Sequence, residues 1–323
     1  MTTNEFEMFR DYIHEKCGIL FADNKVYLLK NRLHKRMEEL QISDYKDYFF
    51  YVKYDKSMKE FNKLMVQITT NETSFYRNEP QLLSFSEELI PKLVNKKEKN
   101  NEPKNFRIWS AGCSTGEEPY TLGILLLEAL AGRPDWTIEI IANDISEQVL
   151  HTARAGEYKG NTLRNMKPEI LKKYFVEKGE FWKVKPELKS LIKFSLMNLN
   201  EPRRLAMNGK FDVVFCRNVM IYFSSEVKKQ IVRGFFNALN PGGYFYIGHS
   251  ETMHGVSKAF KLVYFKNALV YYKEPISATA KVETTSTKEL HEHTPSAITN
   301  SNKDGAKRAM ALLSKIKPMT VKN

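Results

Sequence analysis

The sequence predicts an α/β protein with a small helical N-terminal domain, and three observations carry that expectation. Residues 1 to about 75 are patterned at the helical period. From Phe106 onward, short apolar strands alternate with amphipathic helices, which points to a mostly parallel sheet with helices on both faces. After Pro275 large apolar side chains become scarce and Ser, Thr, Asn, Lys and His dominate, which predicts a disordered tail over 276–323. The expected organisation is a helical domain over 1–80, a linker helix and loop over 81–105, an α/β domain over 106–275 and that tail. A small antiparallel β insertion is expected at about 174–196.

In the N-terminal region Asn24 to Gln41 has the clearest period. Val26, Leu29, Leu33, Met37 and Leu40 share one stripe. Lys25, Arg32, Lys35 and Arg36 cluster on a different face, which is either a solvated surface or a docking face for an acidic partner. A second helix is expected over Ser57–Ile68, followed by an aperiodic run from Thr69 to Arg77. Glu79-Pro80 opens a helix over roughly Gln81–Val94, and Lys96–Lys104 reads as a surface linker.

Phe106–Ala111, Trp136–Ala142 and Phe211–Cys216 are the strand candidates that follow. Glu118–Ala131, Ser146–Ala155 and Ser225–Leu239 are the helices between and after them. Pro241-Gly-Gly turns the chain into a strand at Tyr244–Ile247. Phe260–Val263 and Ala268–Tyr272 make a final hairpin, so one strand there should run antiparallel. Tyr174–Val184 is patterned as two short strands around a Lys-Gly turn, with Leu191–Leu196 as a candidate third. Ala306–Ile316 has the pattern of a short basic amphipathic helix, marginal alone in water.

Composition narrows the function class. Hydrophobic residues make up 42% and charged residues 27% of the 323-residue chain, an ordinary globular balance. The longest apolar stretch, Leu122–Ala131, is broken by Glu128, so no membrane span is expected. The N-terminus lacks a basic-then-apolar signal segment. Cys17, Cys113 and Cys216 are far apart, with no CxxC and no metal-ligand spacing; a reducing cytoplasm and no metal are expected. The net charge of +12 suits nucleic acid, a membrane surface or an acidic protein, and composition does not choose among them.

The chemistry-bearing residues sit where strands end. Phe106–Ala111 runs into Gly112-Cys-Ser-Thr-Gly116, where glycines either admit a ligand to the backbone or merely turn the chain tightly. Asp144, just past the second strand, is placed to accept hydrogen bonds from ribose hydroxyls or, alternatively, to cap the next helix. Gly112–Gly116 matches neither GxGxxG nor GxxxxGK[ST], so a nucleoside without a pyrophosphate fits better than NAD or ATP. S-adenosylmethionine is such a ligand, with Glu117 near its amino-acid part or its ribose. Arg217 and Asn218 leave the strand at 211–216, at the edge where open α/β sheets bind ligands. The Asn/Asp-Pro-Pro-Tyr run common among amino-group methyltransferases is missing there, and an arginine and a tyrosine suit an anionic acceptor.

Five runs together resemble the chemotaxis protein methyltransferases, the CheR family. They are Thr70–Arg77 (TNETSFYR), Trp109–Tyr120 (WSAGCSTGEEPY), Asn143-Asp-Ile145, Phe215–Phe223 (FCRNVMIYF) and Leu239–Gly243 (LNPGG), in the family's order. The resemblance spans residues 1 to about 275. It implies a class I, Rossmann-like methyltransferase domain that uses S-adenosyl-L-methionine and releases S-adenosyl-L-homocysteine. It further implies an enzyme that methylates glutamate carboxylates on bacterial chemoreceptors in chemotactic signal transduction. By resemblance Asn71, Thr73, Arg77, Glu117, Asp144, Asn198, Leu199, Cys216 and Arg217 contact the cofactor. Arg77 and Tyr222 lie nearest the transferred methyl, and the helix over 24–41 docks the receptor's cytoplasmic helical bundle through Lys25, Arg32, Lys35 and Arg36. Family members tethered to a receptor C-terminal pentapeptide carry a glycine-rich loop in the insertion. Here the turn is only Glu177-Lys-Gly-Glu180, so strong pentapeptide binding is not expected. A nucleic-acid methyltransferase is the rival reading, but no RNA-binding module is visible. No nucleic-acid partner, no membrane insertion and a monomer are expected.

Overall fold

The computed structural model describes residues 1–69, 71–201 and 209–275. The tail expected to be disordered, and the basic helix expected within it, lie outside those residues. The chain forms two compact units, one of residues 1–11 and 21–68 and one of residues 12–20 and 69–274.

The first unit is helical. Helix α1 (Thr3–Cys17) begins in it, and α2 (Val26–Glu39), α3 (Tyr45–Tyr54) and α4 (Lys59–Ile68) complete it. The expected stripe on α2 buries Leu29, Leu33 and Met37, while Val26 and Leu40 are half-buried at its ends. Asp44 caps α3 by accepting from the Lys46 and Asp47 amides. Buried Glu60 on α4 accepts from Arg36 Nε at 2.8 Å, Arg36 Nη2 at 2.7 Å and the Tyr48 hydroxyl at 3.1 Å, so one carboxylate ties α2, α3 and α4 together. Arg36 is therefore a structural residue, which corrects its assignment to an exposed docking face: its guanidinium is consumed by Glu60 and, at 2.6 Å, by Glu39.

The second unit is built on a seven-stranded sheet. Its strands are β1 (Asn105–Ala111), β2 (Thr137–Asp144), β6 (Ile192–Leu196), β7 (Phe211–Cys216), β8 (Leu239–Ile247), β9 (Lys261–Tyr264) and β10 (Leu269–Tyr272), in the order β6-β2-β1-β7-β8-β10-β9. The pairs β6-β2, β2-β1, β1-β7 and β7-β8 are parallel; β10 runs antiparallel to β8, and β9 to β10, as the hairpin predicts. Every residue of β7 is buried, the pattern of a strand covered on both faces. On one face Trp109 packs edge-on to Phe235 at 5.0 Å, and on the other Phe215 stacks on Tyr246 at 4.5 Å. Helices α7 (Glu117–Ala129), α8 (Glu147–Ala155) and α9 (Ser225–Ala238) connect or cover the parallel strands. The Pro241-Gly-Gly turn lies within β8, where the ladder to β7 shifts register between Phe211 and Val213.

Two expectations need correction. The helix opened by Glu79 does not stop near Val94: α5 (Glu79–Leu83), a π-helical turn (Ser84–Leu89) and α6 (Ile90–Lys99) run on into the supposed linker. Lys97 ends buried, donating to Asp212 Oδ2 at 2.9 Å, which explains why a lysine-rich run is helical and anchored. Leu191–Leu196 does not join the insertion: β6 pairs parallel with β2 through Ile140↔Ile192 and its neighbours. The small antiparallel sheet is β3 (Glu157–Tyr158), β5 (Phe181–Val184) and β4 (Phe175–Lys178), in that order. An apolar strand with a charged flank cannot tell from its own pattern which of two sheets it will extend.

Candidate active site

The sheet order reverses at β1, whose successors go to β2 and β6 on one side while β7 returns on the other. Crevices at such switch points, outside the carboxyl ends of strands, are where open α/β sheets bind ligands. The segments that carry Gly112–Gly116, Asp144 and Arg217 leave β1, β2 and β7 at this edge.

Gly112 and Cys113 both donate their amides to the Asn143 carbonyl, at 2.8 and 2.9 Å, so the loops after β1 and β2 are stitched together. Gly112 has φ +76, and a Cβ there would come within 2.4 Å of Val219 Cγ2; the glycine is required by the close approach of the loop after β7. The Asp144 carboxylate is half-buried at the end of β2. Its Oδ2 accepts from the Ser114 amide at 2.9 Å and its Oδ1 from the Ser146 amide at 3.0 Å. Each oxygen keeps a further acceptor direction, which suits two neighbouring ribose hydroxyls. Burial pushes this carboxyl above its ordinary range, and the backbone amides partly counter that. The capping reading of Asp144 is not met, because Ser146 occupies the N-cap of α8 and, at that helix start, Asp144 holds only the Ser146 amide.

The segment after residue 70 is fastened to this edge. The Asn71 carbonyl accepts from Ser114 Oγ at 3.2 Å, the Phe75 amide donates to the Thr162 carbonyl at 3.0 Å, and Phe75 is buried edge-on to Tyr158 at 4.8 Å. Half-buried Thr73 lies between these anchors. Tyr76 and Asn78 take left-handed φ values of 54° and 62°, a bend that sets Arg77 between them. Arg77 Nη1 donates to the Glu72 carbonyl at 2.7 Å, and the Arg77 carbonyl accepts from Arg217 Nη2 at 2.6 Å.

Arg217 is buried at the end of β7. Its Nη1 meets Glu118 Oε2 at 3.3 Å, and its Nε has no partner among the described residues. Glu118 Oε1 in turn accepts from Ser110 Oγ at 2.8 Å. Burial raises the Glu118 carboxyl above its ordinary range, with Arg217 and Ser110 opposing that rise. Glu117, the acid expected at the cofactor, is already engaged: Thr115 Oγ1 donates to its Oε2 at 2.7 Å and Thr162 Oγ1 to its Oε1 at 2.6 Å.

The remaining assignments are met unevenly. Met197 donates its amide to the Asp144 carbonyl at 2.8 Å, which brings Asn198 and Leu199 to this edge. The Asn198 side chain, however, donates to the Lys16 carbonyl at 2.7 Å, and Leu199 is buried among apolar side chains. The Cys216 thiol is also buried in that cluster, with its pKa pushed well up by burial, so only its backbone is available to a ligand. Tyr222 is half-buried, and its carbonyl accepts from the Leu20 amide at 2.9 Å. Lys25 and Lys35 are exposed on or beside α2, whereas half-buried Arg32 donates Nη1 to the Ile68 carbonyl.

Two acids were not read as functional from the sequence. Glu118 was visible only as the second acid of a run. Glu251 accepts from the amides of Gly248 at 2.6 Å, Asn218 at 2.9 Å and Ile221 at 3.1 Å, clamping the loop that carries Arg217 and Tyr222. Asn218 takes a left-handed φ of 60° in the turn that Glu251 supports.

The fold and this edge define a Rossmann-like methyltransferase. Residues 71–269 match the family model described as CheR methyltransferase, SAM binding domain, and residues 4–69 match CheR methyltransferase, all-alpha domain. The chain belongs to the CheR methyltransferase family. It is 34% identical over 84% of its length to chemotaxis protein methyltransferase 2 of Vibrio cholerae, covering 94% of that protein. It is 36% identical over 83% of its length to chemotaxis protein methyltransferase 1 of Pseudomonas aeruginosa, covering 97% of that protein. Among the described residues no helix is long and apolar enough to cross a membrane.

Proposed function

We propose that the chain transfers the methyl group of S-adenosyl-L-methionine to glutamate side-chain carboxylates of chemoreceptors, leaving glutamate methyl esters and S-adenosyl-L-homocysteine. The observation that carries this reading is the charge layout at the strand ends. An acceptor-rich Asp144 ends β2, and at the carboxyl end of β7 Arg217 meets half-buried Glu118 and the carbonyl of Arg77. The first suits a ribose; the second suits carboxylates. Asn71, Thr73, Glu117, the Asn198-Leu199 backbone and the Cys216 backbone would border the same ligand.

S-adenosylmethionine supplies, when bound, a methyl already activated by its sulfonium. A glutamate carboxyl has an ordinary pKa near 4.3 and is ionised at neutral pH, so no general base is needed to generate the nucleophile. The work left to the protein is alignment, since holding reacting atoms about 3–3.5 Å apart and in line can contribute several kcal/mol. Arg77 and Tyr222 hold the acceptor carboxylate, one with a planar donor fork and the other with a single hydroxyl. Negative charge disappears from the acceptor as the ester forms. A modest grip therefore serves turnover better than a tight ion pair, which would favour the ground state. Lys25, Arg32 and Lys35 supply the positive face that meets the acidic receptor bundle.

The experiment is incubation with methyl-labelled S-adenosylmethionine and receptor-containing membranes. Label released by mild alkali is expected, because carboxyl methyl esters hydrolyse in base. Alkali-stable label, or none, contradicts the assignment. The short Glu177–Glu180 turn of the insertion leads to a further expectation: titration with a receptor C-terminal pentapeptide should give no micromolar affinity.

A further inference from the structure

The end of β8 brings together the two segments that carry Arg77 and Tyr222, the residues given the acceptor carboxylate in the proposed function. β8 closes at Ile247, which stands opposite Cys216 in the ladder to β7. Buried Gln81, in the first turn of α5, donates its Nε2 to the Ile247 carbonyl at 2.7 Å, and its Oε1 accepts from Asn78 Nδ2 at 3.1 Å. Asn78 is the left-handed residue that closes the bend around Arg77. One residue beyond Ile247, the Gly248 amide donates to Glu251 Oε2, which also takes the Asn218 amide. Glu251 Oε1 takes the amide of Ile221, the neighbour of Tyr222. The fit is close, because a Cβ on Gly248 would lie 2.7 Å from Glu251 Oε2 and 3.0 Å from the Asn218 nitrogen. On its other side this turn is held through backbone, by the Leu20 amide on the Tyr222 carbonyl at 2.9 Å and a bridge between Ile19 and Phe223. The Arg217 guanidinium has separate anchors in Glu118 and the Arg77 carbonyl, so loosening Glu251 frees the turn before it frees that side chain.

Resting on that function, we propose that Glu251 and Gln81 are positioning residues that fasten the Tyr222 turn and the Arg77 bend to one strand end, so that the two groups share a common frame. Both act through backbone rather than on substrate. Bonds from three amides to one carboxylate are charge-assisted and therefore strong. They hold a left-handed residue in each segment, Asn218 directly and Asn78 through Gln81, in conformations that persist only where the surroundings enforce them. A turn and a bend relaxing independently would lose the spacing between hydroxyl and guanidinium fork, and small misplacements of reacting groups lower turnover steeply.

The test measures receptor methylation and S-adenosylhomocysteine binding with the full chain. Glu251→Gln keeps the shape of the side chain but turns an NH2 group toward at least one of the three amides. It is expected to lower kcat about tenfold while changing S-adenosylhomocysteine affinity less than about twofold. Combined with Tyr222→Phe, it should add less than about twofold to that variant's own loss, because both substitutions remove the same placed hydroxyl. Gln81→Met should behave likewise toward Arg77→Ala. Losses that multiply in either pair overturn that residue's role. So does a folded Glu251→Gln with wild-type kcat and KM, even where its urea midpoint falls. Should Glu251→Gln fail to fold, Glu251→Asp keeps the charge, shortens its reach and must show the same kcat loss at smaller size. Hydrogen exchange of the backbone over 216–223 is read on the same proteins and needs no receptor: faster exchange in Glu251→Gln supports the clamp, and unchanged protection overturns it. Absence of methyl transfer by the wild type counts against the proposed function, and exchange alone then decides on the clamp.

Discussion

Arg77 and Tyr222 are asked to do different amounts of work. Arg77 sits in a strained bend and shares its backbone with Arg217, so its loss removes both a donor fork and a neighbouring charge. Arg77→Ala should lower turnover on the order of a hundredfold, the usual consequence of a misplaced reactant. Tyr222→Phe removes one hydrogen bond and should lower it about tenfold. Both should keep the wild-type fold by circular dichroism, and full receptor methylation by either variant would remove that residue from the mechanism. Arg36 belongs to a different account. Its truncation leaves buried Glu60 without its ion partner, a change that costs about 3–5 kcal/mol in comparable buried pairs. Arg36→Ala should therefore lower the urea midpoint sharply, and an unchanged midpoint would contradict the structural role given to it.

At the scale of elements, the strands around the crevice are cross-linked as well as paired. Arg107 on β1 faces Glu139 on β2 in register, and Lys193 on β6 reaches the same carboxylate; the contacts are 2.5 and 2.6 Å. Lys193 first, and then Arg107, holds the Glu139 carboxyl below its ordinary range. A depressed carboxyl contributes stability above the unfolded pKa, near 4.3, and loses it as pH falls through the lower folded value. Glu139→Gln should be less stable than wild type at pH 7. The gap should close as the pH drops below about 4, and a gap independent of pH would refute the linkage. The alternation that revealed β1, β2, β7 and β8 was strong because buried parallel strands are apolar along their whole length. β6 was misassigned because its partner lies far away in sequence. The lysine-rich end of α6 was misread because Asp212, which buries Lys97, is equally remote. The site divides the same way. Asp144 and Arg217 were legible from where they leave strands, and Arg77 from resemblance alone. Glu118 and Glu251 were not, since their meaning lies in backbone amides and guanidiniums that only the folded chain brings to them.

For the whole molecule the net charge of +12 suits an anionic counterpart, and the proposed acidic receptor bundle is one. Exposed charges are screened beyond about 8 Å at physiological ionic strength. Receptor methylation should thus fall as salt rises, and reversing Lys25 and Lys35 together should both slow it and flatten its salt dependence. Salt-insensitive methylation would mark that face as solvated surface only. All of this depends on a nucleoside seated where the sheet order reverses. The most direct measurement is a crystal structure with S-adenosylhomocysteine. The account predicts ribose hydroxyls on the Asp144 carboxylate and the amino-acid arm directed toward Arg217 and Arg77. Density at another edge of the sheet, or a crevice left vacant at saturating ligand, would contradict it.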